Sequence, residues 1–180
     1  MERRWASTAI VALLLGSGVQ EAEAAPPAAS PPGVAIRQIR MVETRSGDRL
    51  WEVEAERAEV FEDRGVTVLH RGADQVRIVI FGRDDQLIAL ADRVTVDMKT
   101  KDLMMEGDVG AQSTQGVQLF SSTLRWDAEE SKLRTEDPVL ILREGMRIQG
   151  RGMVADTVLD RITIRTRISS HIRMPAEVQR

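Results

Sequence analysis

The stretch Trp51-Glu52-Val53-Glu54-Ala55-Glu56 decides the fold. Apolar and acidic side chains alternate through it. On a pleated strand, where successive side chains point to opposite faces, Trp51, Val53 and Ala55 share one face and the three glutamates the other. Wound into a helix, the same residues would be smeared around the axis with no apolar stripe to bury. The helix propensity of Glu54 to Glu62 does not outweigh this spacing, and the segment reads as strand. Period-two runs recur at Val76-Arg77-Ile78-Val79-Ile80, Val94-Thr95-Val96, Leu103-Met104-Met105, Val117-Gln118-Leu119, Met146-Arg147-Ile148 and Ile162 to Ile168. Turn signals separate them, among them Ser46-Gly47-Asp48, Gly82-Arg83-Asp84-Asp85, Glu106-Gly107-Asp108 and Glu144-Gly145. Short strands at this spacing, without a convincing helix, predict an all-β sandwich, barrel or jelly roll.

Trp51 also opens a repeat. Trp51-x-Val53-x-Ala55-Glu56-x-Ala58 matches Leu87-x-Ala89-x-Ala91-Asp92-x-Val94, then Val117-x-Leu119-x-Ser121-Ser122-x-Leu124, then Met146-x-Ile148-x-Gly150-Arg151-x-Met153, with starts 36, 30 and 29 residues apart. A second element, Leu103-x-Met105-x-Gly107-x-Val109, resembles Leu133-x-Thr135-x-Asp137-Pro138-Val139. Such periods describe stacked β units, none of which can bury its apolar face alone. The small residue of each copy (Ala55, Ala91, Ser121, Gly150) is expected where the strand bends or another backbone approaches closely. A stack of this kind ends in open edges, which invite strand addition by another chain.

The N-terminus reads differently. Arg3 and Arg4 precede an apolar run, Ala6 to Leu15, and Ala22-Glu23-Ala24 offers a small-x-small cleavage site. Residues 1–24 are therefore expected to be a signal peptide or an N-terminal membrane anchor. Even stretched to Val19, the run falls short of the roughly 17 to 25 residues that span a bilayer comfortably. The paired arginines stay on the cytoplasmic side, so the remainder is exported in either case. Residues 25–33 hold four of the six prolines and read as a stiff linker. The domain is expected over 34–173, with a disordered tail at 174–180.

Composition removes several classes of function. The 180 residues contain no Cys, which excludes disulfides, thiolate metal sites and thiol nucleophiles. His70 and His171 are too far apart in sequence to suggest a metal motif. A net charge of −3 lacks the basic footprint of a nucleic-acid binder. Glu52, Glu54 and Glu56 project together from one strand face, whereas a glycosidase needs two carboxylates facing each other across a substrate. With no nucleophile elbow and no phosphate loop, neither an enzyme nor a cofactor is expected.

At the repeats, the chain resembles the LptC family of lipopolysaccharide-export proteins and, more broadly, the OstA-like repeats of that export bridge. The resemblance covers about Gly47 to Ile172. It rests on Leu50-Trp51-Glu52-Val53-Glu54-Ala55, Leu87-Ile88-Ala89-Leu90-Ala91-Asp92, Leu103-Met104-Met105-Glu106-Gly107-Asp108-Val109 and Gly145-Met146-Arg147-Ile148-Gln149-Gly150-Arg151-Gly152-Met153. It implies an antiparallel β-jelly roll, or slightly twisted open sandwich, in the periplasm. Such a protein has no catalytic activity; it accepts lipopolysaccharide from an inner-membrane ABC transporter complex and passes it to an LptA-like bridge protein. Acyl chains would lie between the sheets while the sugars stay in water.

By strand parity, the expected groove lining is Trp51, Val53, Val76, Ile78, Ile80, Leu87, Ala89, Leu103, Met105, Leu119, Ile148 and Met153; the same residues also suit an ordinary core. The resemblance implies that strands near Ile36 to Val60 face the transporter and that the last strands, Thr157 to Ile172, pair with the bridge protein. Leu159, Ile162, Ile164 and Ile168 are the expected edge residues there. Glu43 to Asp63 carries a net charge of −5 and Arg143 to Arg173 one of +4, a pattern that suits head-to-tail docking of like modules or, equally, two solvated strand faces. A soluble LptA-like bridge subunit is one alternative. A carbohydrate-binding β-sandwich is another, although three Trp, three Phe and no Tyr leave little for a planar aromatic patch.

Overall fold

A computed structural model describes residues 33–83 and 85–172, with side chains as far as residue 166. The expected signal or anchor, nearly all of the linker and the tail lie outside the described residues, as does the side chain of Ile168. Eleven antiparallel strands account for most of the remainder: β1 (Val34–Arg45), β2 (Asp48–Phe61), β3 (Val66–His70), β4 (Val76–Phe81), β5 (Gln86–Ala91), β6 (Arg93–Asp97), β7 (Leu103–Ser113), β8 (Gln118–Asp127), β9 (Lys132–Arg143), β10 (Met146–Asp156) and β11 (Ile162–Ile172). The expected all-β, jelly-roll architecture holds, and Glu54 to Phe61 is strand despite its helix propensity. Leu159, expected on the last strand, lies instead in the β10–β11 turn with φ +62 and is fully buried, because β11 begins only at Ile162.

Hydrogen bonding is continuous, yet the pairings divide into two walls. Residues 51–54 of β2 pair with β4, while residues 57–61 pair with β3. Residues 103–106 of β7 pair with β6, while 110–113 pair with β5. The long strands β1, β2 and β7 to β11 thus each contribute one half to a wall containing β4 and β5, here the roof, and the other half to a wall containing β3 and β6, here the floor. All crossings lie along one side of the molecule. β1 ends both walls at one extremity and β11 at the other.

The small repeat residues mark the crossings, as expected. β2 changes partner after Glu54, next to Ala55; a register shift follows Ser121 in β8; in β10 one shift spans Gly150 and a second follows Arg151; Ala91 ends β5 just before β6. The apolar positions explain how the bend is made. In each first-template copy the small residue and the next apolar one are three apart, so Ala58, Val94, Leu124 and Met153 turn inward from the opposite parity, and all are buried. Second-template strands take four residues over the same corner: Met105 and Val109 in β7, Thr135 and Val139 in β9. Each crossing therefore pairs a three-residue path with a four-residue path, the mismatch that defines a β-bulge and bends the pair.

Candidate functional site: the interior between the walls

One line of cross-strand neighbours runs along the inner face of the roof: Met41, Val53, Ile78, Ala89, Ala111, Leu119, Ile141, Ile148. At a strand spacing of about 4.8 Å this is an apolar row roughly 34 Å long. Opposite it on the floor runs Ile36, Ala58, Leu69, Val94, Met105, Leu124. Everything between the ends of these rows is buried, while Met41, Ile36 and Ile148 are half-buried and pack against the core from the two extremities.

Eleven of the twelve expected lining residues are buried in this interior, and the twelfth, Ile148, is half-exposed at its β11 end. Nine of the twelve belong to the roof. The floor was undersampled: Leu69, Val94, Val96, Leu124, Trp126 and Leu133 are equally buried but were missed. The signal for Val94 and Leu124 was present in the eighth position of the repeat, which falls one residue out of period two. Among the expected edge residues, Ile162 and Ile164 are half-buried against the core.

The two walls are offset along their length. The roof ends of β1 and β2 meet floor turns two hairpins further along. Arg45 Nη1 donates to the carbonyl of Ala128 at 3.1 Å and Trp51 Nε1 to that of Lys101 at 3.0 Å. The β4–β5 turn of the roof meets the β10–β11 turn of the floor at Gly82 and Val158. At the β11 end the roof consequently projects past the floor, leaving the inward-pointing Met146 37% exposed. At the β1 end the floor projects, leaving Val34, which pairs with Val60 on the inner face, 48% exposed.

The acids do not form a bare charged plate at one end. Glu52 lies on the outer face as expected but is buried beneath Arg40, which bonds it at 2.8 Å through Nε, with Arg49 3.8 Å away. The hydrogen bond from Arg40 holds the Glu52 carboxyl below its ordinary value, against the opposing effect of burial. Glu54 is shared by Arg40 and Arg77. Glu56 turns into the β3–β4 loop and accepts the N–H groups of Ala73 and Asp74. Arg40 of β1 and Arg77 of β4 thus partner two of the eight acids of residues 43–63, Glu52 and Glu54. On the floor side, backbone N–H groups of Thr100 and Lys99 hold Asp97 below its ordinary value and fix the β6–β7 turn.

The outer face of the roof carries a shallow apolar groove of about 440 Å³ that includes Ile88, Leu90, Gly110 and Phe120. The unbroken run Leu87-Ile88-Ala89-Leu90 is its trace in the sequence. Among the described residues no cluster of three His, Asp or Glu could hold a metal, and no helix is long and apolar enough to cross a membrane.

Residues 6–173 match the model of a protein family described as lipopolysaccharide-assembly, LptC-related. The sequence finds no match among curated proteins. Among solved structures the fold is similar to that of LptH from Pseudomonas aeruginosa, described as the LptA homologous periplasmic component of the conserved lipopolysaccharide transport device. That similarity has a TM-score of 0.55 at 17% sequence identity and covers 69% of this chain and 95% of the other.

Proposed function

Because the chain belongs to the LptC family, whose model matches nearly all of it, we propose that it carries lipopolysaccharide between the inner and outer membranes, holding the acyl chains between roof and floor. The observation that carries this reading is the pair of facing apolar rows, closed in the middle and half-open at both ends. Such an interior accepts hydrocarbon by volume, and in keeping with its family the protein acts as a carrier and scaffold, not as an enzyme. The twelve residues named from the sequence, with Leu69, Val94 and Leu124 of the floor, form the lining. Flexible Met105 and Met153 suit a surface that must repack around acyl chains.

The protein works in the periplasm. Residues 1–24 serve as export signal or anchor, 25–33 as tether, 34–173 as the carrier domain and 174–180 as a tail. Strand addition at β1 joins the domain to the inner-membrane ABC transporter complex, and strand addition at β11, through Ile162, Ile164 and Ile168, joins it to an LptA-like bridge protein. The offset walls support this arrangement, since each extremity offers an uncovered apolar ledge beside an unpaired edge.

A photo-crosslinking side chain at Val53 or Met105, which point inward, is expected to capture lipopolysaccharide in cells. The same group at the outward Glu54 or Glu106 is expected to capture none. Capture at the outward positions alone, or at none of the four, would overturn the reading.

A further inference from the structure

Carrying acyl chains between the walls makes no use of the outer face of the roof. Two outward rows of cross-strand neighbours run over it: Ile88, Gln112 and Gln118 in one, Leu90, Gly110 and Phe120 in the other. With strands about 4.8 Å apart and the rows about 7 Å apart, these six positions frame the shallow groove. Ile88, Leu90 and Phe120 are 39%, 42% and 42% exposed. None of the residues lining the groove is charged, although 29% of the chain is, so the groove offers no counter-charge to an ion.

The seat of Phe120 is particular. Gly110 stands directly opposite it on β7, and a Cβ there would lie 3.5 and 3.6 Å from ring atoms Cε1 and Cδ1. The ring therefore reclines toward the bare backbone of Gly110. That residue is not among those with positive φ, so the backbone does not demand a glycine here. What the glycine supplies is room beside the ring. Gln112 and Gln118, also directly opposed, lie along one side of it, and each of their amides can both donate and accept.

These features select among occupants. Three side chains exposed to this degree leave roughly 200 Å² of apolar surface, against the roughly 800 Å² per partner of a stable protein interface, so a second copy of the chain is not held. An acyl chain is apolar on every side, and a shallow groove would leave half of it in water while the closed interior lies on the other face of the same sheet. A sugar ring has one apolar C–H face and a polar rim, so covering a single face suffices. An N-acetylated sugar fits further: its methyl group rests on Ile88 or Leu90, and its amide meets the paired amides of Gln112 and Gln118. We propose that the outer roof groove is a glycan site, taking a chain of uncharged N-acetylated hexosamines, the chemistry of a cell-wall glycan, with one ring stacked on Phe120. By this face the domain is fastened to the wall it passes through, independently of what its interior carries.

Amide chemical shifts of the purified protein are followed while it is titrated with the tetramer of N-acetylglucosamine or with cellotetraose, a glucose chain of the same length. The acetylated chain is expected to shift residues of β5, β7 and β8 around the groove. Cellotetraose, which lacks the acetamido group, is expected to bind roughly fivefold more weakly. Phe120→Leu keeps the apolar bulk at an exposed position and removes the ring; it is expected to weaken binding of the acetylated chain roughly fivefold with an unchanged circular dichroism spectrum. No shift with either oligosaccharide, equal affinity for the two, or full affinity in Phe120→Leu would overturn the proposal. Shifts at the groove with decanoate alone would assign it to hydrocarbon, and a concentration-dependent doubling of mass that Phe120→Leu abolishes would assign it to a second copy; either result overturns the glycan site.

Discussion

Glu52 is the residue whose environment departs furthest from what its neighbours in the sequence suggest. Alternation placed it correctly on the outer face, but alternation is silent about what lies above a face. The contact with Arg40 depends on the pairing of β1 with β2, twelve residues apart at this point, which no local pattern encodes. Its carboxyl lies below the ordinary value of 4.5 when folded. Its contribution to stability is therefore complete above that value and is lost as the pH falls through the lower folded value. Glu52→Gln is expected to be less stable than the parent protein at about pH 7 and to lose less on going to about pH 3. Urea unfolding at the two pH values checks this. An unchanged acid dependence would mean that Glu52 is not the linked group.

At the scale of the element, the corner between the walls is the unit that matters, and it was half legible. The small residue at each bend could be read from Ala55, Ala91, Ser121 and Gly150. The odd step to Ala58, Val94, Leu124 and Met153 stands in the same template but breaks period two, so alternation alone does not point to most of the floor. Corners also explain which glycines are needed. Gly107 opens the bulge of β7 at φ +75, and a Cβ there would lie 2.9 Å from the Cβ of Asp92, an atom with no freedom to withdraw. Gly65 also has positive φ, +63, but nothing lies near it. Gly65→Ala is expected to cost roughly 1 to 2 kcal/mol from conformation alone, and Gly107→Ala roughly 1 to 3 kcal/mol more from the collision. Chemical denaturation of the two variants decides it; equal costs would mean that β7 accommodates the bend in another way.

For the whole molecule, composition and period identified the class of fold, and the repeats identified a stack with open ends. The offset between roof and floor was not legible, because it arises where turns far apart in sequence meet, as Gly82 meets Val158. It has a measurable consequence within one strand. Met146 and Met153 both lie on β10 and both point inward, but only Met153 is covered. Met153→Ala is expected to lower stability by roughly 2 to 5 kcal/mol and Met146→Ala by less than about 1 kcal/mol. Urea midpoints showing similar losses would mean that the ledge is covered in solution. The repeat that builds the stack also makes it a ruler. Because β8 and β9 each traverse both walls and are joined to their neighbours by short turns, duplicating this hairpin would lengthen the interior by about 10 Å without requiring a new kind of contact. The distance such a protein bridges is thus written in its count of hairpins.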